Sequence, residues 1–257
     1  MTQHHILTEH NNRILTIRFN RPDKKNALTQ AMYTELAQIF ETASTDSTIR
    51  AVLLAGQPDC FTSGNDMKDF LAAPPSTAQN PTLRFMQALA ECTKPVIAAP
   101  SGIAVGVGVT LLLHCDLVYC GEQTKLSMPF VSLGIRPEYA STYLLPRLMG
   151  HVRACELLLL GEAFTAPKAL EYGLVNQLAP NTEVEALARE KALQIAQLPP
   201  TTVRATKALL KHWRADLVKG AIPFELGEVA KSLAHPEAME SVTAFLQKRK
   251  PDFSKFV

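Results

Sequence analysis

Residues 94–120 read KPVIAAPSGIAVGVGVTLLLHCDLVYC, and this segment joins two short apolar runs through helix-like sequence. The run at 94–102 ends at Gly or Pro, as does a further run, RAVLLAG, at 50–56, and the run at 115–120 is followed by Gly121. Short apolar runs bounded by turn residues are typical of buried strands. Because helix-like sequence separates each run from the next, the pattern predicts an α/β core.

The N-terminal side of this core predicts a hairpin and a helix. Residues 5–22, HILTEHNNRILTIRFNRP, contain two strand-like arms around Asn11-Asn12, a pair that tolerates left-handed backbone. After the polar loop RPDKKNAL, Thr29 is a suitable N-cap for a helix. The predicted core face of that helix has helical spacing and comprises Met32, Leu36, Ile39, Phe40 and Ala43.

The last third of the chain is predicted to be helical. Apolar residues recur at helical spacing in EVEALAREKALQIAQ, residues 183–197, and further helical sequence follows. We expect the helices to be divided at Pro199-Pro200, Pro223 and Pro236. The predicted division of the chain is a core at 1–195 and a C-terminal helical region at 196–257.

Composition excludes several classes of protein. The 257 residues are 47% hydrophobic and carry a formal net charge of only +2, which supports a large buried core and argues against nucleic-acid binding. Five cysteines without a C-x-x-C motif favour reduced thiols in a cytoplasmic protein. We expect no metal site, no secretory leader and no membrane span.

Two glycine-containing turns are the strongest candidates for chemistry. They are CFTSGNDMKDF at 60–70 and SGIAVGVGVTLLL at 101–113, and each follows a predicted strand. A Gly before a helix lets a ligand approach the backbone, where free N–H groups can bind an anion. Alternatively, Gly64, Gly102, Gly106 and Gly108 only permit tight turns and close packing.

Other motifs in these turns are incomplete. A dinucleotide-binding G-x-G-x-x-G would need its third Gly at Leu111. Ser63 lacks the G-x-S-x-G context of a nucleophile elbow. We assign packing or capping roles to His114, Tyr139 and Ser141, because spacing identifies no catalytic triad.

Taken together, five motifs resemble the crotonase superfamily, the enoyl-CoA hydratase/isomerase family. In order along the chain they are RPDKKNALT, FTSGNDM, GIAVGVGVTLLLHCD, LGIRPEYASTYLLPRLMG and AFLQKRKPDF. The resemblance covers roughly residues 5–253. It implies a spiral of β-β-α units, with a C-terminal helical region that forms a homotrimer or a dimer of trimers, and an acyl-CoA thioester substrate. CoA is then part of the substrate, and no separate cofactor is expected.

The same resemblance assigns the reacting groups. Two backbone N–H groups bind the thioester oxygen in this family, and they correspond to Asn65 and Val107. The two glutamates of the hydratases correspond to Thr110 and Phe130, which cannot transfer protons as carboxylates do. The chain is more similar to isomerases that convert 3-enoyl-CoA to 2-enoyl-CoA, whose single acidic residue corresponds to Glu138.

Residues for binding the substrate follow from the resemblance as well. Lys24 or Lys25, with Lys248 and Arg249, are candidates for the CoA phosphates, although these can equally be solvated surface side chains. The remaining candidates line the CoA and acyl groups and comprise Ser63, Gly64, Asn26, Ala27, Asp66, Met67, Gly106 and Phe130. The loop-like segment at 72–81 is a candidate lid.

Several alternatives to the isomerase remain open at this point. Within the family they are a dienoyl-CoA isomerase, a weak enoyl-CoA hydratase, a retro-aldol or decarboxylating enzyme, and an aroyl-CoA dehalogenase. The dehalogenase would need a histidine base, and neither His114 nor His151 corresponds to it. Outside enzymes, the chain could be a non-catalytic CoA-binding scaffold.

Overall fold

A six-stranded sheet forms the centre of the computed structural model, which describes residues 4–72, 80–247 and 249–256. The strands in the described residues are β1 (Ile6–Asn11), β2 (Ile14–Phe19), β3 (Ala51–Ala55), β4 (Val96–Ala99), β5 (Ile103–Val105), β6 (Leu117–Gly121), β7 (Lys125–Ser127), β8 (Phe164–Thr165) and β9 (Gln177–Ala179). The main sheet has the order β1-β2-β3-β4-β6-β9 and is parallel except for the β1/β2 pair. A second sheet has the order β5-β7-β8.

Helices cover both faces of the main sheet. They are α1 (Gln30–Thr45), α2 (Met67–Ala72), α3 (Pro81–Ala90), α4 (Val107–Thr110), α5 (Ser141–Met149), α6 (His151–Cys155), α7 (Ala166–Glu171), α8 (Val184–Gln197), α9 (Pro200–His212), α10 (Ala215–Leu233) and α11 (Pro236–Leu246). Within β3, Val52 and Leu54 belong to the core shared with α1 and α3, whereas Ala51 and Leu53 pack with α8. This double burial explains the unbroken apolar strand runs and confirms the predicted α/β fold.

The N-terminal hairpin is confirmed, but its turn lies one residue later than expected. Asn11 still pairs with Ile14, so the turn residues are Asn12 and Arg13, with φ of 50° and 65°. A two-residue turn of this type needs positive φ at both central positions. The resulting register pairs Ile6 with Phe19, which are both buried.

Helix α1 begins as predicted, because the Thr29 hydroxyl accepts a hydrogen bond from the Met32 N–H at 3.3 Å. Its predicted core face is buried apart from Ile39, which is only partly buried.

One predicted helix boundary in the last third is wrong. Pro199-Pro200 and Pro236 lie where helices meet, but Pro223 lies inside α10. A proline removes one helical hydrogen bond. Here the neighbouring turns are anchored by Ile222, Leu226 and Val229, which are buried against the core. The predicted division at 195/196 falls in the last turn of α8 and stays a prediction.

No described helix combines the length and apolarity needed to cross a membrane. The candidate lid at 72–81 falls mostly on residues 73–79, which lie outside the described residues. Its flanks are the end of α2 and Asn80, whose side chain caps α3 by accepting from the Thr82 N–H at 2.8 Å.

Candidate active site

The two glycine-containing turns lie against each other. A Cβ added at Gly64 would lie 2.9 Å from the Val105 carbonyl oxygen, and one at Gly108 would lie 2.6 Å from Thr62 Cγ2. The Val105 N–H donates to the Thr62 carbonyl at 3.1 Å. Gly64 also has a φ of 90°, which favours glycine. The glycines therefore permit the close packing that brings the two predicted amide donors into neighbouring turns.

The N–H groups of Asn65 and Val107 donate no hydrogen bond within the described part of the chain. The peptides around them are fixed. The Leu28 N–H donates to the Gly64 carbonyl at 2.8 Å, and the Gly106 N–H donates to the Ser127 carbonyl at 2.9 Å. Free donors on a fixed backbone are the requirement for stabilising a developing oxyanion.

Glu138 is buried, with only 1% of its surface exposed. It lies between the short 3₁₀ turn Val131–Leu133 and α5. Its Oε1 atom has no hydrogen-bond partner among the described residues. Burial, assisted by the charge of Glu225, raises the pKa of Glu138 to about 8. The side chain is therefore not a solvated surface carboxylate, and it can exchange protons near neutral pH.

The turn that follows Glu138 is strained. Tyr139 and Ala140 both have left-handed backbone, with φ of 66° and 56°. Such conformations cost residues other than glycine about 1–2 kcal/mol each. The turn is held by His114, whose Nε2 lies 2.9 Å from the Tyr139 carbonyl, and by the Tyr139 hydroxyl, which donates to the Met86 carbonyl at 3.0 Å. Strain retained by several contacts is common at functional sites.

Tyr33 connects the first predicted donor to the predicted base. Its hydroxyl donates a hydrogen bond to the Asn65 side-chain oxygen. Burial raises the pKa of Tyr33, and the charge of Glu138 raises that pKa further. Tyr33 and Tyr139, the residue after Glu138, pack against the same Phe85 ring, with their ring centroids 5.4 and 6.3 Å from it.

Thr110 and Phe130, which the resemblance assigns to the two hydratase glutamates, lie close to the Val107 turn. Thr110 is fully buried, and its hydroxyl has no partner among the described residues. Phe130 is buried, and its ring lies 4.0 Å from where a Cβ on Gly106 would be. Both side chains add bulk close to the Val107 turn, and neither can transfer a proton as a carboxylate does.

The loop after β2 contains several predicted substrate contacts. Lys24 and Lys25 are exposed, whereas Asn26 and Ala27 are buried. The Asn26 amide donates to the carbonyls of Cys60 and Phe61, at 2.9 and 3.1 Å. The lysines are therefore carried on a loop that is attached to the first glycine-containing turn.

The acidic residue of that first turn has a protein partner. Asp66 forms an ion pair with Arg21 at 2.8 Å. Burial opposes ionisation of Asp66, but the hydrogen bonds from Arg21 and nearby backbone lower its pKa overall. Ser63 and Met67 on either side are half-buried. The Asp66 ion pair thus connects the first glycine-containing turn to the loop after β2. With its carboxylate occupied by Arg21, Asp66 leaves the backbone and the side chains of Ser63 and Met67 as the candidate substrate contacts of this turn.

Two of the predicted CoA-binding cations come from the C-terminal segment. Lys248 lies outside the described residues. Arg249 is described, and its guanidinium pairs with Glu240 at 2.6 Å. Contact of either residue with CoA stays a prediction.

Sequence reasoning missed Tyr33, Arg21 and Glu225. Glu225 had a detectable signal, because it falls at helical spacing on the buried face that includes Val218, Ile222 and Val229. A carboxylate on such a face is unusual. Tyr33 gave no comparable signal, since an aromatic residue beside Met32 is ordinary in a buried helix.

A cavity of about 920 Å³ lies elsewhere, between the start of α10, α9 and the ends of α1 and α3. Its lining includes Lys94, Arg204, Lys207, Lys211 and Arg214, but not Asn65, Val107 or Glu138. His114 lines it and also stacks on Tyr139, with ring centroids 3.9 Å apart. This cavity therefore lacks the two amide donors and the base.

Comparison with known proteins identifies the class. Residues 9–255 match the family profile described as enoyl-CoA hydratase/isomerase. A crystal structure of an enoyl-CoA hydratase/isomerase from Pseudoalteromonas atlantica T6c has a TM-score of 0.93 and 38% identity, covering 98% of this chain and 100% of that one. The fold is accordingly the mixed α/β fold of crotonase-like proteins. The chain belongs to the enoyl-CoA hydratase/isomerase family.

Curated relatives carry different activities. Over 252 residues the chain is 33% identical to enoyl-CoA delta isomerase 2 of Rattus norvegicus, covering 96% of this chain and 64% of the rat protein. The chain thus spans just under two thirds of that relative's length. It is also 31% identical over 249 residues to 2,3-dehydroadipyl-CoA hydratase of Escherichia coli (strain K12), covering 96% and 98%. Crotonase-type acyl-CoA chemistry is common to these relatives, but the individual reaction is not.

Proposed function

We propose that this protein is an enoyl-CoA delta isomerase that shifts a double bond from the 3- to the 2-position of an acyl-CoA. One observation carries the proposal. Glu138 is buried, and its Oε1 has no hydrogen-bond partner among the described residues. The neighbouring Tyr139 ring packs on Phe85, as does Tyr33, whose hydroxyl donates to Asn65. The resemblance assigns the two hydratase glutamates to Thr110 and Phe130. A single acid/base group suits isomerisation and not hydration.

The proposed reaction begins with binding of the thioester oxygen by the N–H groups of Asn65 and Val107. Glu138 removes a proton from C2, and the electrons of that C–H bond form a dienolate whose negative charge is shared with the thioester oxygen. The same carboxyl group then returns the proton to C4, which leaves a 2-enoyl thioester. Each amide donor is worth ~3 kcal/mol in such a step.

The environment of Glu138 supports this role. A general base is most effective when its pKa is near the working pH. Burial and the charge of Glu225 bring the pKa of Glu138 to about 8. An unpaired buried carboxylate also destabilises the folded protein, which a non-catalytic CoA-binding scaffold has no physical reason to retain.

The surroundings of His114 and His151 argue against an aroyl-CoA dehalogenase, which would need a histidine base. His114 uses its Nε2 on the Tyr139 carbonyl, and burial lowers its pKa to about 3. His151 is exposed, and its ring lies 3.4 Å from Cys155 Sγ. Neither imidazole is free to act as a base beside the two amides.

The proposal includes the remaining features of the substrate and the assembly. Lys24 or Lys25 binds the CoA phosphates, CoA belongs to the substrate, and no separate cofactor takes part in a cytoplasmic reaction. A homotrimer, alone or paired into a hexamer, is supported by exposed apolar side chains on α9, on α10 and in the link between them. They are Leu209, Leu210, Trp213, Leu217 and Phe224.

The test supplies a 3-enoyl-CoA and follows the absorbance of the conjugated thioester. A parallel assay supplies a 2-enoyl-CoA and follows its hydration. We expect conjugation with the first substrate, and its loss in Glu138→Gln with CoA-ester binding retained. Glu237→Gln, which alters an exposed glutamate of α11, is the matched control. Hydration without isomerisation, or a Glu138→Gln variant of wild-type rate, would overturn the proposal.

A further inference from the structure

Glu225 is a buried carboxylate that the proposed reaction does not use. It lies on α10 and is 4% exposed. Its Oε1 accepts hydrogen bonds from the Thr142 N–H, at 3.1 Å, and from the Thr142 hydroxyl. The N-cap residue of α5, Ala140, supplies no side-chain cap. Glu225, on α10, therefore caps the start of α5 by accepting a hydrogen bond from the Thr142 N–H.

Glu138 and Glu225 are neighbouring acids with different surroundings. Each has one buried oxygen without a partner in the described residues. Burial raises the pKa of Glu225, but the hydrogen bonds from Thr142 and the start of α5 act in the opposite direction. Glu138 has no such donor on its Oε1, and burial raises its pKa to about 8. The two donors from Thr142 at the start of a helix favour the charged form of Glu225, so Glu138 lies beside a site built to hold a negative charge.

The other ionisable groups around the pair do not cancel this charge. Tyr33 on α1 and Tyr139 next to Glu138 both have pKa values raised by burial, so they are neutral. His114 beneath Tyr139 is neutral because burial lowers its pKa to about 3. Arg136 on the same loop pairs with Glu228 at 3.0 Å. Within the described residues, neither member of the acid pair forms an ion pair with a cation.

We propose that Glu225 is a positioning residue for Glu138: it holds the start of α5, and hence the strained turn, and it fixes a negative charge beside the base. Glu138 then attracts a proton more strongly than burial alone would allow. The effect of Glu225 on turnover rests on the proposed isomerisation. The effect of Glu225 on the proton affinity of Glu138 does not depend on which reaction the protein catalyses.

The effect of Glu225 on the proton affinity of Glu138 is tested by carbon-13 NMR on protein labelled at the glutamate carboxyl carbons. Glu138→Gln identifies the Glu138 resonance in the wild type. We expect its titration midpoint to move to lower pH by about one unit in Glu225→Gln, because a unit charge nearby is removed. Asp216→Asn, which removes an exposed negative charge from the same helix, should leave the midpoint unchanged. An unmoved midpoint in folded Glu225→Gln would overturn the inference.

The effect of Glu225 on turnover is tested on the same variants with a 3-enoyl-CoA. In Glu225→Gln the acidic limb of kcat/KM should move to lower pH with the NMR midpoint, and the plateau should fall a few-fold as the base weakens. If Glu225→Gln does not fold, Thr142→Val tests the positioning role alone: it removes the hydroxyl donor to Glu225 but keeps the charge, so the plateau of kcat/KM should fall while the NMR midpoint stays. An unchanged plateau in folded Thr142→Val would overturn the positioning role. A wild type that lacks isomerase activity would refute the proposed function, while the NMR titration would still decide the role of Glu225.

Discussion

The His114 ring stacks on the Tyr139 ring, with centroids 3.9 Å apart and planes inclined by 18°. The same imidazole has its Nε2 2.9 Å from the Tyr139 carbonyl. A carbonyl oxygen only accepts, so Nε2 carries the proton in this neutral ring. His114 thus supports both the ring and the backbone of the residue that follows Glu138.

Replacing His114 should disturb both stability and turnover. His114→Phe keeps an aromatic surface but loses the hydrogen bond, and should lower the free energy of unfolding by about 1–2 kcal/mol. Because the Glu138 turn loosens, kcat should fall about tenfold or more. Denaturant unfolding and steady-state kinetics measure the two effects. His10→Phe, at an exposed position on β1, is the control; equal effects at both sites would contradict the assigned role.

The raised pKa of Glu138 makes stability depend on pH. The folded state favours the protonated acid, so this contribution is complete below the ordinary pKa of 4.5 and is lost as pH rises toward about 8. Glu138→Gln cannot ionise and should exceed the wild type in stability by up to about 4 kcal/mol at pH 9, with little difference at pH 4.

Chemical denaturation at several pH values measures this difference. Glu237→Gln, at an exposed position, should follow the wild-type curve throughout. Parallel stability curves for Glu138→Gln and the wild type would show that the carboxyl is not buried as described.

Removing the Tyr33 hydroxyl should loosen the first amide donor. In Tyr33→Phe the Asn65 side chain loses its hydrogen bond from Tyr33, while the aromatic packing against Phe85, at 5.4 Å between centroids, is retained. We expect kcat to fall about fivefold to tenfold with KM little changed. The Tyr33–Asn65 hydrogen bond only orients the donor, and loss of one such hydrogen bond costs roughly 1 kcal/mol. A large rise in KM at constant kcat would instead indicate a role in substrate binding.

The exposed apolar side chains of α9, of α10 and of the link between them predict self-association. Trp213 is 89% exposed and Leu210 is 78% exposed, and large contiguous apolar surfaces usually mark interfaces. The double variant Leu210→Asp with Trp213→Asp should convert a trimer or hexamer to monomers in light scattering after size-exclusion chromatography. Leu198→Asp, at an exposed position outside those helices, is the comparison. A monomeric wild type would refute the predicted assembly.

The sequence pattern was sufficient for the α/β fold, whereas the close approach of the two turns was implied only by the family resemblance. Strand β3 reads AVLLA because both of its faces are buried, and a fully apolar run between turn residues is a strong local signal. Gly64 and Gly108 are local signals of tight packing, since close backbone approach excludes a side chain at both positions.

Other features depend on contacts distant along the chain. Glu225 approaches Thr142 across a separation of 83 residues, and Tyr33 approaches Asn65 across 32. No local pattern encodes such pairs. Pro223 was misread for a related reason, because burial of the neighbouring turns of α10 outweighs the local preference of proline to end a helix.

The two proposed donors are main-chain groups, and this has a consequence for evolution. Replacing the side chain of Asn65 or Val107, by anything but proline, leaves the peptide N–H in place. A mutation at Val107 can reshape the walls around an acyl group while the peptide donor is retained, whereas a mutation at Asn65 also removes the hydrogen bond from Tyr33. A lineage built on such a site is free to diversify its substrates through side chains while both peptide donors persist.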